Sequence, residues 1–172
     1  DQPPGADLWY LFAPLKAARL DYMVQKAVEM GASRLMPVMT RRTVASRVNL
    51  ERMRANVIEA AEQCGILSVP EVAEDQPLTR LLAGWPADRA LVFCDEDAEI
   101  KDPVAALAGR KPGSPLAVLI GPEGGFDPEE RKSLLALPAC LRLSLGPRIL
   151  RADTAAVAAL ALVQAVLGDG KA

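Results

Sequence analysis

The chain has 172 residues, of which 51% are apolar and only 4% aromatic, the length and composition of one domain with an aliphatic core. It contains no histidine, which excludes Ser-His-Asp and Cys-His triads, imidazole general bases and His-ligated zinc, and leaves chemistry to carboxylates, Arg, Lys, hydroxyls, backbone amides or a cofactor. The net charge of −2 is polarised: residues 34–54 carry six arginines and one acid, residues 71–102 nine acids and three bases, and residues 141–151 three arginines and no acid, so two separate basic segments point to an anionic partner such as RNA.

In chain order, the spacing predicts a strand over residues 8–12, ended by Pro14. A helix over 16–30 follows, with Ala17, Leu20, Val24, Ala27 and Val28 on one face and Gly31 as its C-terminal cap. Residues 34–39 read as a second strand and the polar, basic 40–48 as a loop. Asn49 is placed to cap a helix over 50–64 whose inward residues are Leu50, Met53, Val57, Ala60, Ala61 and Cys64. Short helices are expected over 77–82 and 103–108, and a buried strand over 91–95 ends in the acidic turn Asp95-Glu96-Asp97. Apolar runs at 116–120 and 141–145 read as two more strands, each followed by a glycine-proline loop and a helix. The first of these helices opens on Asp127-Pro128-Glu129-Glu130, with a capping Asp, a first-turn Pro and a capping-box Glu. The second begins near Asp153-Thr154, runs to Leu167 and is apolar all round, as a helix buried on more than one side is, inside the fold or at a subunit interface. Strands alternating with helices predict an α/β domain, a mostly parallel sheet with helices on both faces.

No run of about 18 apolar residues is present, so no membrane span is expected, and no signal peptide is visible. Cys64, Cys94 and Cys140 lie in apolar contexts without metal-ligand spacing and read as buried free thiols in a reducing compartment, with no metal. Residues 1–7, with their paired prolines, are expected to be the remnant of a linker before a domain over 8–172.

The two glycine-proline loops carry the most information. Two such turns at the ends of parallel strands place a crevice where an open α/β sheet binds its ligand. The first, Gly121-Pro122-Glu123-Gly124-Gly125, lacks the Lys-Ser/Thr ending of a phosphate-binding P-loop and is not a dinucleotide G-x-G-x-x-G. With Glu123 inside it, it suits a ligand carrying positive charge and hydroxyl donors, and S-adenosylmethionine has both in its sulfonium and its ribose. In the second, Gly146-Pro147-Arg148-Ile149-Leu150-Arg151, two arginines frame two apolar residues before a helix start and are placed to grip phosphate or a developing anion.

The string Ile120-Gly-Pro-Glu-Gly-Gly-Phe126, followed by Leu145-Gly-Pro-Arg-Ile-Leu-Arg-Ala-Asp-Thr-Ala155, closely resembles the RsmE family, bacterial 16S ribosomal RNA methyltransferases that modify N3 of a uridine. Gln25-Lys26-Ala27-Val28-Glu29-Met30-Gly31, Pro37 with Thr40-Arg41-Arg42, Glu59-Ala-Ala-Glu62-Gln63 and Val69-Pro70 also resemble family segments, so the resemblance runs from about Leu8 to Leu167. It implies the SPOUT fold, an α/β sheet whose C-terminal segment is tucked into a deep trefoil knot, with S-adenosyl-L-methionine as cofactor and a homodimer with its site near the interface. The implied cofactor cradle is Leu119, Gly121, Pro122, Glu123, Gly124 and Gly125 in the first loop and Leu143, Leu145, Gly146, Ile149 and Leu150 in the second, with Phe93, Glu96 and Thr154 nearby. Arg148 and Arg151 would face the transfer site, either one stabilising the uracil anion, with Asp153 or Glu123 as proton acceptor; Arg41, Arg42 and Arg47 would meet RNA.

The implied partner is 16S rRNA of the small subunit, in the cytoplasm, with no membrane. The alternatives are a SPOUT enzyme acting on another RNA base or on ribose, and a non-catalytic RNA-binding module of the same fold. The family carries an N-terminal PUA-like barrel, and since nothing precedes Asp1 the methyltransferase domain alone is expected. Ile66 stands where the family often has Arg, and Asp153 where Glu is common.

Overall fold

A computed structural model describes residues 2, 4–45 and 47–170. Residues 1 and 3 of the expected linker remnant, Ser46 of the basic loop and residues 171–172 lie outside the described residues. The strands are β1 (Leu8–Phe12), β2 (Arg34–Met39), β3 (Glu71–Val72), β4 (Gln76–Pro77), β5 (Ala90–Cys94), β6 (Leu116–Ile120) and β7 (Cys140–Leu143). They form one parallel sheet in the order β3-β2-β1-β6-β5-β7, with β4 pairing the far end of β2. The helices are α1 (Ala17–Glu29), α2 (Leu50–Gln63), α3 (Leu78–Ala83), α4 (Pro103–Leu107), α5 (Pro128–Leu135) and α6 (Ala152–Leu167).

The central strands β1, β5 and β6 are apolar on both faces because both are covered. Leu8, Tyr10 and Phe12 of β1 with Leu116, Val118 and Ile120 of β6 face a core shared with α1, α2, α4 and α6. Leu11, Ala117, Leu119, Leu91 and Phe93 point the other way, onto Leu78 and Leu81 of α3 and Leu134 of α5. Each large aliphatic side chain so buried contributes about 1.5–3 kcal/mol. At the start of α5 both halves of the anticipated capping box are made: Asp127 accepts from the Glu130 amide at 2.8 Å, and the Glu130 carboxylate accepts from the Asp127 amide at 3.1 Å.

Three expectations need correction. The buried face of α1 is Met23, Val24, Ala27 and Val28; Ala17 is exposed and Leu20 only half-buried, so the core contact of the helix begins after its first turn. Cys64 is exposed, since it falls at the C-cap of α2 after the helix has left the core, and Cys94 and Cys140 are half-buried rather than fully so. The last strand ends at Leu143, two residues early, and the last helix starts at Ala152 with Arg151 as its N-cap. α6 is covered on one side only: Ala156, Ala159, Leu160 and Val163 are buried, whereas Ala161 and Ala165 are exposed and Val157, Leu162 and Val166 half-buried. Its one inward polar residue, Gln164, donates to the carbonyl of Met30 at 2.9 Å and so satisfies the end of α1. Among the described residues no helix is long and apolar enough to cross a membrane.

Candidate active site

The chain leaves β1, β5, β6 and β7 at the same rim of the sheet, and the loops there enclose a cavity of about 740 Å³. Three walls come from residues 93–97 after β5, 120–126 after β6 and 143–152 after β7; Arg19 of α1, Arg131 of α5 and Ala155 of α6 complete it. Of the residues read as a cofactor cradle, Phe93, Glu96, Gly121, Pro122, Glu123, Gly124, Gly125, Leu143, Leu145, Gly146, Ile149 and Leu150 line this cavity. Leu119 and Thr154 do not. Leu119 is 1% exposed and belongs to the opposite core, and Thr154 points outward from the first turn of α6.

Glycine is required in this rim at Gly146 and Gly121 for different reasons. Gly146 turns the chain after β7 with φ +99°, a conformation that side chains disfavour. A Cβ on Gly121 would lie 2.7 Å from the Phe126 ring, which packs edge-on against Phe93 with centroids 5.5 Å apart. Gly121→Ala is therefore expected to displace Phe126 and to cost about 1–3 kcal/mol of stability, measured by thermal or denaturant unfolding.

The β5 wall is held by charge. Asp95, whose side chain is 1% exposed, accepts from both terminal guanidinium nitrogens of Arg131 and from Nε of Arg142 at 2.6 Å, and also receives the Asp97 amide at 3.1 Å. Burial pushes the Asp95 carboxyl up, but the hydrogen bonds from Arg131 and Arg142 outweigh it and hold the group below the usual carboxylate range. Arg142 reaches on to the Asp97 carbonyl at 2.7 Å, closing the turn. Burial pushes the neighbouring Cys94 thiol up to about 12, with Asp95 adding to the shift, so it is no thiolate nucleophile at neutral pH.

Arg19, which carries no motif, spans the cavity mouth. Its Nη1 donates to Glu123 Oε1 at 3.2 Å and its Nη2 to Asp153 Oδ1 at 3.1 Å. Asp153 does not line the cavity, and the hydrogen bond from Arg19 holds its carboxyl below the usual range, which makes it a weak base. Arg41 pairs with Asp127 at 2.7 Å, and Arg42 donates to the Gly124 carbonyl at 2.9 Å, so the basic loop is docked onto the N-cap of α5 and onto the first glycine-proline loop. Arg47 stands exposed and apart from the cavity. Arg148 and Arg151 line the cavity and are exposed, and their guanidinium groups have no ion-pair or hydrogen-bond partner among the described residues. Ile66 is half-buried against the main core, a position that suits its apolar side chain.

A sequence profile for the RNA methyltransferase domain matches residues 2–164. The chain is an RNA methyltransferase domain of the RsmE family. It is 29% identical over 152 residues, 88% of this chain and 62% of the relative, to the ribosomal RNA small subunit methyltransferase E of Rickettsia conorii. The crystal structure of the protein of that name from Neisseria gonorrhoeae, bound to S-adenosyl methionine, superposes with a TM-score of 0.85 at 28% identity, over 95% of this chain and 68% of that one. A putative methyltransferase from Legionella pneumophila, also in complex with the cofactor, gives 0.81 at 30% identity, over 97% and 69%. The RsmE domain here thus has the SPOUT-type α/β fold, and it spans about six tenths of the length of the curated relatives it matches.

Arg19 and Arg131 are absent from the sequence-based expectations, which place Asp95 in an acidic turn and Arg142 in a basic segment without pairing them. A lone arginine in the first turn after a strand was the only available signal for Arg19, and its acidic partners lie 104 and 134 residues away.

Proposed function

We propose that the chain is the catalytic domain of an S-adenosylmethionine-dependent methyltransferase that modifies N3 of a uridine in 16S rRNA of the small subunit, in the bacterial cytoplasm. The observation that carries this reading is the pairing, in one cavity, of a glycine-proline loop containing Glu123 with a second loop bearing two uncommitted arginines. The cavity's residues fit the cofactor. The space lies in the range of pockets for ligands of that size, its loops present backbone and small side chains, and Glu96, Asp97 and Glu123 offer acceptors for hydroxyls and a cationic sulfur. When bound, the cofactor supplies an electrophilic methyl group.

The chain's own residues would do the rest. Uracil N3 is a weakly acidic imide nitrogen and must lose its proton at or before attack. Arg41, Arg42, Arg131 and Arg142 are engaged within the fold, which leaves Arg148 and Arg151 to hold the O2 or O4 oxygen where negative charge develops. Both carboxylates considered as proton acceptor pair with Arg19, but only Glu123 lines the cavity, so Glu123 or a water beside it is favoured. Exposed Arg47 extends the basic surface toward RNA phosphates.

Two further parts belong to this reading. The C-terminal segment is knotted, a reading supported by the return of the chain from β7 at the sheet's edge as α6 to pack against α1, α4 and β6. The domain is a homodimer, supported by the open apolar side of α6. Sedimentation at tens of micromolar is expected to give dimer, and monomer alone would count against it. Calorimetry tests the cofactor: S-adenosylmethionine, or its demethylated product, should bind the folded chain without added metal. No heat with either ligand would overturn the reading.

A further inference from the structure

We propose that Arg19 is a positioning residue for the cofactor loop, using Asp153 as its anchor to hold Glu123 in place; this rests on the reading that the cavity takes S-adenosylmethionine.

Glu123 sits between Pro122 and two consecutive glycines, so the loop has few side chains of its own to fix the carboxylate, which is 41% exposed. Glycine-rich backbone loses much conformational freedom when ordered, and a ligand that had to order it alone would bind correspondingly more weakly. The structure supplies that order from outside the loop. Arg42 holds the Gly124 carbonyl from the solvent side, and Arg19 holds Glu123 from the cavity side.

Arg19 is suited to this by its place and its shape. It stands in the first turn of α1, a helix whose Met23, Val24, Ala27 and Val28 are locked into the core. Its guanidinium is a planar fork, and its two terminal nitrogens point to different carboxylates, Glu123 at 3.2 Å and Asp153 at 3.1 Å. Asp153, 18% exposed and in the first turn of α6, is the better shielded of the two partners. One side chain therefore ties together α1, the loop after β6 and the start of α6.

Charge and position predict opposite signs. Removing Arg19 leaves two carboxylates without their counter-charge beside the cavity, which by Coulomb attraction alone would strengthen binding of the cationic sulfonium relative to its neutral thioether product. Loss of positioning weakens both ligands alike. Calorimetry of the full chain with S-adenosylmethionine and with S-adenosylhomocysteine separates the two. Arg19→Ala is expected to weaken both ligands by about tenfold, and Asp153→Asn by a similar factor. The double variant should be no weaker than the poorer single one, because the two residues act as one unit. Asp21→Asn serves as the control. Asp21 ties the same helix to α2 through Arg52 and Asn56, away from the cavity, and its loss should leave both affinities within about twofold.

Unchanged affinity in Arg19→Ala, or tighter binding of the sulfonium, would overturn the proposal. Equal weakening by Asp21→Asn would reduce Arg19 to a prop for α1, and multiplying effects in the double variant would separate it from Asp153; either result also overturns it. If the unaltered chain binds neither ligand, the cofactor reading itself fails. If it binds both while Arg19→Ala is silent, that reading stands and the positioning role falls.

Discussion

Asp95→Asn is expected to destabilise the domain by about 2–3 kcal/mol and to loosen the β5 wall of the cavity. The buried carboxylate accepts from two arginines and a backbone amide. An amide there would turn donors toward donors and leave the two cations without a counter-charge. Breaking a fully buried pair costs about 3–5 kcal/mol, but Arg131 and Arg142 are about 30% exposed and can rehydrate, which lowers the figure. For a chain of this size the thermal midpoint should fall by about 5–10 °C. The pH dependence follows from the sign of the shift. The Asp95 carboxyl is held below its usual range, so its stabilisation is fully present above the unfolded value of about 4 and is lost as pH falls through the lower, folded value. The gap between the unaltered chain and the Asn variant should thus be constant near neutrality and close in acid. A gap independent of pH, or a variant as stable as the parent, would remove the clamp from the account.

Arg148→Ala and Arg151→Ala carry the largest expected effect on chemistry. Both side chains are exposed at the cavity and have no partner among the described residues, so truncation should hardly change stability. A contact with the developing uracil anion acts mostly in the transition state, so methyl transfer should fall by about 10²-fold in at least one variant while cofactor affinity stays within a few-fold. Single-turnover transfer to small-subunit RNA, beside calorimetry of the cofactor, separates the two quantities. Unchanged transfer in both variants would make these arginines solvated loop residues.

Much of this was legible in the sequence because local pattern carries it. β1 and β6 are uninterrupted apolar runs and β2 is an apolar run apart from Arg34 and Pro37, and all three begin and end where the pattern put them. The Asp127-Pro128 start of α5 is a local hydrogen-bond motif and reads directly. β3 and β4, two residues each, leave no periodic signal; they exist because β2 offers an edge. The cavity's outline followed from the two glycine-proline loops, whereas its electrostatics did not. Asp95 reads only as part of an acidic turn at the end of a strand, and only folding brings Arg131 and Arg142 to it. Arg41 and Arg42 read as RNA ligands from local charge, yet their present partners are Asp127 and the Gly124 carbonyl, more than 80 residues away. Ion pairs of such separation are set by topology and have no spacing that a single sequence can display.

Nucleoside analysis of 16S rRNA tests the proposed methylation of uracil N3. Cells lacking the gene that encodes this chain should have lost one 3-methyluridine from 16S rRNA. The intact gene should restore it, and the gene carrying Arg148→Ala together with Arg151→Ala should not. An unchanged 3-methyluridine content in the deletion strain, or loss of a ribose-methylated or different base-methylated nucleoside instead, would contradict the account.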